Sequence, residues 1–472
     1  MLNHGVDGGN GEEDLTAELR SGWLAGNEML EVNQPVLGFL KVGERCNVAG
    51  SRKFLRLISE GKQAEALEIA AGQIDKGAGV LDINMDDALL DAPSEMERFV
   101  TLLGQDVRTA KVPLMVDSSD MEVIRRALHR IQGKPIVNSI SLKEGEEKFL
   151  ERAREIREAG ASVVVMAFDE NGQAIDFARR IEICERAYRL LTEQAGYAPQ
   201  DIIFDPNVLT IATGIAEHDR YALDFLEAVE WIKRNLPGAK VSGGVSNLSF
   251  SFRGNNKLRE AMHAVFLEHA IKRGMDMAIV NPTTALSGEC IDRELRERIE
   301  DVIFMRRDDA TERLMEIAAE SKAQQSANPG SAGKGSKPKP EDSTNSGVNI
   351  SEGRIEEMIR RGIGDGIEPL LDDALLSEGS AMGVVNNRLM SAMSAVGDEF
   401  GAGRMFLPQV VRAAGVMKRA IDYLTPAIEA EASKGGENES GGIPFVIATV
   451  KGDVHDIGKN IVGVILKCGG FR

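Results

Sequence analysis

Apolar positions along the chain recur in short, nearly continuous runs. These lie at Val36–Gly43, Gly79–Met85, Val112–Ser118, Pro135–Ser141, Ser162–Phe168, Asp201–Asn207, Lys240–Ser246 and Met277–Pro282. Most are rich in β-branched residues and do not alternate with polar ones, the pattern of parallel strands buried on both faces. Between them lie charged stretches with helical spacing of apolar residues, such as EEKFLERAREIREAG and YALDFLEAVEWIKRNL. Eight such units within residues 36–320 predict an α/β fold, an eight-stranded β/α barrel of TIM type. A doubly wound open sheet is the alternative for any such alternation, but it rarely needs eight units.

The pattern changes beyond the eighth unit. Residues 321–349, SKAQQSANPGSAGKGSKPKPEDSTNSGVN, offer almost nothing to bury and are expected to form a flexible linker. Residues 350–432 read as all-α, with four helices near 351–361, 365–377, 380–400 and 404–430 joined by Gly-containing turns. After a second polar break, residues 443–472 show a strand (PFVIATV), a polar loop (GDVHDIG) and an apolar helix (KNIVGVILKC), the opening βα unit of an α/β domain. Residues 1–35 form an acidic, Gly-rich extension without the basic and apolar regions of a secretory signal, so a cytoplasmic location is expected.

Charge and cysteine usage narrow the function classes. With 56 basic and 74 acidic residues the formal charge is −18, which disfavours nucleic acid and anionic membrane surfaces as partners. No apolar run is long enough to span a bilayer. Cys46, Cys184, Cys290 and Cys468 are far apart, so neither a disulfide framework nor a structural zinc site is expected.

In a β/α barrel the chemistry gathers at the C-terminal ends of the strands. There the sequence places Glu44, Arg45 and Asn47 after the first strand, Asp82, Asn84, Asp86 and Asp87 in or after the second, and Asp117, Ser118 and Ser119 at the third. Asn138 and Ser139 mark the fourth, Asp169 the fifth, Asp205 and Asn207 the sixth, Asn247 and Arg253 the seventh and Asn281 the eighth. Any one of these is explained by helix capping or a turn, but caps do not require acids inside the strand. Carboxylates and amides with few basic groups suit a neutral heterocycle rich in N–H donors and carbonyl acceptors better than a phosphate. Metal binding by the acids is an open alternative. No HExxH motif and no Ser/His/Asp order is present.

The ordered motifs VGERCNVAGSRKF, DINMDD, VDSS, IVNSIS, VVMAFDE, IIFDPN, ATGI and VSGGVSNLSFSFRGN, followed by RRDDATERLMEIA, resemble the pterin-binding domain of the cobalamin-dependent methionine synthase family. The resemblance covers Val42–Asn281. It implies a barrel that binds methyltetrahydrofolate at its strand ends, with pterin contacts at Asp117, Asn138, Asp205 and Asn247 and with Asp205 and Asn247 as catalytic residues. Glu44, Asp82, Asn84, Ser246 and Arg253 match the motifs as further contacts.

The segment MFLPQVV resembles the four-helix cap of the same family, which implies that Phe406, with Leu407 and Val411, lies over the reactive face of the corrin. DVHDIG matches the DxHxxG motif of cobalamin domains, in which His455 would be the cobalt ligand. Asp453 would hold the second nitrogen of that imidazole, and Gly458 would let the backbone approach the nucleotide tail. Residues 443–472 then become the start of a Rossmann-like cobalamin-binding domain.

The implied function is methyl transfer from 5-methyltetrahydrofolate to cob(I)alamin, with cobalamin passing through methylcobalamin on the way to homocysteine. A corrinoid methyltransferase with another final acceptor and a non-catalytic folate-binding chain are the alternatives. The family's homocysteine domain with its zinc-binding cysteines, the rest of the cobalamin domain and the reactivation domain are expected to belong to a longer protein or to other chains. Alone, this chain is expected to bind folate, and cobalamin poorly or not at all.

Overall fold

The computed structural model describes residues 22–32, 38–326, 353–434 and 444–448. They fall into two compact units. The first holds the barrel; the second runs from Asp308 onward and includes the short segments Ala212–Asp219 and Ser251–Asn256.

The chain enters through a hairpin, β1 (Gly22–Ala25) and β2 (Met29–Val32). The barrel strands follow: β3 (Leu40–Asn47), β4 (Val80–Asn84), β5 (Leu114–Asp117), β6 (Ile136–Ile140) and β7 (Ser162–Met166). A two-residue hairpin, β8 (Phe168–Asp169) and β9 (Gly172–Gln173), precedes β10 (Ile202–Asp205), β11 (Lys240–Val241) and β12 (Met277–Val280). All eight apolar runs thus supply strands of one parallel sheet, ordered β11-β10-β7-β6-β5-β4-β3-β12. Its two ends meet. Gly244 bridges Ile279 in parallel, and the N–H groups of Ile279 and Asp276 donate to Gly243 and Val241 carbonyls, each at 3.0 Å. That closure makes the sheet a barrel and removes the edges that an open sheet would expose.

Glu44, Arg45 and Asn47 lie inside β3, a correction to the expectation that they follow the first strand. The strand persists because its pairing with β4 shifts register between Gly43 and Cys46. At the irregularity the Arg45 N–H is taken by Gln73 Oε1 at 2.8 Å, so no buried donor is left open. The helix Ala310–Ser326 also runs into the segment expected to be linker. Lys, Ala and Gln are adequate helix formers there. Residues 327–349 lie outside the described residues.

Beneath the strands' N-terminal ends, Leu24 and Val32 of the hairpin share one buried cluster with Leu40, Val42, Val80, Met115, Ile136, Val164, Ile203 and Met277. The hairpin closes the end of the barrel opposite the candidate site. Two four-residue strands are too short for periodicity to reveal, which is why residues 1–35 read only as an extension. Ala25 and Lys134 exchange backbone hydrogen bonds at 3.1 and 2.8 Å, and Lys134 Nζ donates to Asp201 at 2.6 Å and lies 4.4 Å from the Trp23 ring centroid.

Docking the hairpin depends on Gly133. Its φ is +88°, and an added Cβ would lie 2.3 Å from the Ala25 carbonyl oxygen. Gly133→Ala is expected to lower stability by on the order of 2 kcal/mol, read as the urea midpoint. An unchanged midpoint would show that the hairpin does not dock this way.

The second unit contains the four expected helices. These are Arg354–Arg361, Glu368–Glu378, a run from Ala381 to Gly401 with one π turn at Val385–Leu389, and Leu407–Lys434. Their apolar faces form one core that includes Ile355, Ile359, Leu371, Val396, Val410 and Leu424. Pro444–Ala448 has no regular structure and is exposed. Asp453, His455 and Gly458 lie outside the described residues. Among the described residues no helix is long and apolar enough to cross a membrane.

Candidate functional site

Parallel register assembles the site. Asn47 pairs with Asn84, Asn84 with Asp117, and Asp117 with Asn138, so four adjacent strands bring four polar residues to one level. In a parallel sheet partners in register point to the same face, here the mouth of the barrel. Asn47 Nδ2 donates to Asp117 Oδ2 at 3.3 Å, and the Asn84 amide also lies against the Asp117 carboxyl. Two residues deeper, Asp82 is 1% exposed, touched by the Asn47 and Asn138 amides, and its Oδ1 has no hydrogen-bond partner.

Helix capping accounts for other acids. Asp91, Asp120 and Asp176 cap the helices that begin at Ala92, Met121 and Phe177. Asp86 holds the third βα turn, accepting from Ser118 Oγ at 2.8 Å and from the Ser119 N–H at 3.2 Å. Asp82, Asp117 and Asp205 are strand residues and cap no helix, although Asp205 also accepts the N–H of Asn207 in the turn that follows it.

The burial of these three carboxyls sets their protonation. Burial first, and then the charge of Asp117, hold Asp82 well above the usual carboxylate range. Asp117 is pushed up to about 7 by burial, against the pull of the Asn84 amide. Two neighbouring carboxyls in one dry network retain a proton between them. The row can therefore donate and accept together, as a heterocycle carrying both N–H groups and carbonyl oxygens requires. Asp205 is pushed up to about 6 by burial, opposed by the Asn207 N–H and by the positive charge of Arg180.

The remaining candidates are placed less uniformly. Ser246 Oγ donates to Glu44 Oε2 at 2.7 Å, joining β3 to the turn after β11. That turn, Val245–Asn247, leaves the Asn247 side chain exposed while its backbone is fixed. Thr210 Oγ1 donates to the Asn247 carbonyl at 2.9 Å, and Arg259 donates to the Ser246 carbonyl at 3.2 Å and to Ser249 Oγ at 2.9 Å. His263 Nε2 lies 2.7 Å from the same hydroxyl. Arg253 is exposed in Ser251–Asn256, which belongs to the second unit.

Sequence reasoning left Asn47 out of the contact set, although it stands three residues after Glu44 in the motif that carries that residue. It gave no sign of Arg180, Arg259 or His263, whose positions on helices look like ordinary helix surface.

In the second unit Phe406 and Leu407 are 3% and 1% exposed, and Val411 is half-buried. The Phe406 ring meets Phe252 edge-on, with centroids 5.4 Å apart. Gln409 Oε1 accepts the Phe406 N–H at 2.7 Å, which fixes the start of the long helix.

Comparison with known proteins agrees with both units. Residues 43–281 match the family model described as pterin binding enzyme, and residues 352–425 match one described as B12 binding domain. Among solved structures the chain is similar to dihydropteroate synthase from Stenotrophomonas maltophilia with imidazole in its active site. Identity is 18% over 57% of this chain and 92% of that one, at a TM-score of 0.38. It is also similar to the Xanthomonas albilineans dihydropteroate synthase in complex with indole-2-carboxylic acid and 6-chloroguanine (20%, 56% and 94%, TM-score 0.39). Dihydropteroate synthase of Yersinia pestis with a pterine-sulfa conjugate gives 15%, 60% and 99%, with a TM-score of 0.40. A pterin-binding domain and a B12 binding domain on one chain fit a protein of folate and corrinoid methyl transfer. With the pterin model matching residues 43–281 of 472, the chain belongs to the pterin binding enzyme family.

Proposed function

We propose that this chain transfers the methyl group of 5-methyltetrahydrofolate to cob(I)alamin, as one step of methionine synthesis from homocysteine. The observation that carries the pterin half is the in-register row Asn47, Asn84, Asp117 and Asn138 above a buried, proton-retaining Asp82. Asp117, Asn138 and Asp205 bind the pterin ring, the two carboxylates of Asp117 and Asp205 taking its N–H and amino groups in charge-assisted hydrogen bonds. Glu44, Asp82, Asn84, Ser246 and Arg253 are further contacts, and of these Asn84 lies against the Asp117 carboxyl and Asp82 against the Asn138 amide. Asn247 sits on a turn pinned by Thr210 and Arg259, so its exposed amide can stabilise the proton on the methyl-bearing nitrogen without moving.

The cap suits the flat apolar face of a corrin. Phe406, Leu407 and Val411 supply one aromatic and two branched aliphatic side chains with no charge among them, and in the ligand-free chain Phe406 packs against Phe252 and Leu407 is buried. His455 would ligate the cobalt, with Asp453 and Gly458 supporting it. When bound, cobalamin supplies the nucleophilic metal centre; this chain's residues orient the pterin, exclude water and hold the proton.

The chain, mixed with free cob(I)alamin and methyltetrahydrofolate under reducing conditions, is expected to release tetrahydrofolate, quantified by chromatography. Asn247→Ala is expected to keep pterin binding within several-fold and to lower the release rate by about a hundredfold or more. Pterin binding without any tetrahydrofolate release would favour a folate-binding chain without catalysis.

A further inference from the structure

We infer that Arg180 is a positioning residue for Asp205: from behind the strand end it anchors the loop that aims this carboxylate and supplies the positive charge that faces it. The inference rests on the reading that Asp205 binds the pterin.

Arg180 is 0% exposed and is the largest fully buried side chain among the described residues. A guanidinium out of water costs several kcal/mol unless its surroundings compensate, and a methionine of similar length would fill the space more cheaply. Its compensation is unusual. Nη2 donates to the Asn207 carbonyl and Nη1 to the Tyr221 carbonyl, each at 3.1 Å, while Nε has no hydrogen-bond partner. Among the described residues it makes no ion pair, so the cation is spent on two backbone carbonyls.

One of those carbonyls belongs to the residue that orients Asp205. The Asn207 N–H donates to Asp205 Oδ1 at 2.8 Å, which fixes the carboxylate's rotation. Asn207 holds this position at a φ of 65°, sparsely populated for a residue other than glycine. Its side chain donates to the Ala167 carbonyl at 2.8 Å and the Ala174 carbonyl at 3.4 Å. Arg180 grips the carbonyl side of the same residue, so Asn207 is held from both directions and the aim of Asp205 is set by Arg180 through it.

Several groups face Arg180: Asp224 from the helix Tyr221–Asn235, Asp205 from β10, and Asp176 and the Cys184 thiol from its own helix region. Asp224 is already paired with Arg220 at 2.9 Å, and Asp176 caps its helix through the Arg179 N–H at 2.9 Å. Asp205 is faced by Arg180, the Cys184 thiol and the Asn207 N–H. Of the acids that face Arg180, Asp205 is the one whose orientation the arginine also fixes, through Asn207. Burial alone would keep Asp205 protonated to higher pH and spoil it as an acceptor.

The test uses the full chain with Arg180→Gln, Arg180→Lys and Asp205→Asn, each checked for folding by circular dichroism and thermal unfolding. Calorimetric affinity for methyltetrahydrofolate is measured from about pH 5 to 8. Arg180→Gln, which removes the charge, is expected to weaken binding about tenfold at pH 7 and to move the midpoint of its pH dependence upward by about one unit. Arg180→Lys keeps the charge but one ammonium cannot span both carbonyls, so affinity falls several-fold with the midpoint unmoved.

A folded Arg180→Gln variant with wild-type affinity and midpoint overturns the inference. Should that variant not fold, a folded Arg180→Lys variant with wild-type affinity does the same. Asp205→Asn with wild-type affinity would overturn the placement of the pterin on Asp205 itself. Weak binding by Asp205→Asn alongside unaffected Arg180 variants removes only the role of Arg180.

Discussion

Asp117→Asn and Asp205→Asn each weaken methyltetrahydrofolate binding by roughly a hundredfold at pH 7, about 2–3 kcal/mol. The substitution preserves shape and changes chemistry. An ionised carboxylate offers only acceptors, whereas an amide must turn its NH2 toward one of the neighbouring groups. At Asp117 the Asn47 amide already donates to Oδ2, so the new NH2 faces either Asn47 or the pterin N–H groups, and both are donors. At Asp205 the Asn207 N–H claims Oδ1 and leaves the NH2 toward the ligand. Buried donors without acceptors carry the penalty in both cases. Calorimetric titration of the two variants decides the matter: wild-type affinity in both would remove the pterin from the strand ends.

A second large effect concerns pH. The stability that the site acids give the ligand-free chain should fall as pH rises from about 4 to about 7. Asp117 and Asp205 titrate at about 7 and about 6 in the folded protein against 3.8 for an unperturbed aspartate, and Asp82 is displaced in the same direction. Between those values these acids bind more protons in the folded chain than in the unfolded one, so their contribution falls with each step upward, while the His263 imidazole, pushed down to about 4 by burial, changes in the opposite sense. The contribution is fully present below the unfolded value and is lost as pH passes through the folded ones, on the order of a few kcal/mol in all.

Acids held by cations work outside this window. Glu170 and Glu268 are held down to about 2 by hydrogen bonds from Arg186 for the first and from Lys272, the Gly288 N–H and Arg296 for the second. Their contribution is complete above the ordinary glutamate value and disappears only in acid. Urea midpoints of the wild type should therefore fall, relative to those of the Asp117→Asn, Asp205→Asn double variant, as pH rises across the range. An equal slope in both would mean that the site acids are not the displaced groups. Pterin reverses the trend, because its N–H donors favour the ionised carboxylates, so ligand-induced stabilisation grows with pH.

Much of this was legible in the chain. Eight apolar runs became eight strands because a strand buried on both faces needs continuous apolar residues, a demand local enough to read without partners. The same locality revealed the four helices of the second unit, whose apolar stripes repeat every three or four residues. Asp82, Asp117 and Asp205 stood out because an acid within such a run has no local reason to be there.

Pairing was not legible, since no local rule relates residues on different strands. Register alone sets Asn47, Asn84, Asp117 and Asn138 side by side, and only folding joins Glu44 to Ser246 across 202 positions. Closure at Gly244 and Ile279, the hairpin beneath the strands and the burial of Arg180 are equally non-local. The sequence by itself determined which elements form and which residue types line the barrel mouth, because periodicity and strand chemistry are local. Tertiary structure decided which of those side chains meet and which carboxyls keep their protons, because register and desolvation exist only once the strands have closed on one another.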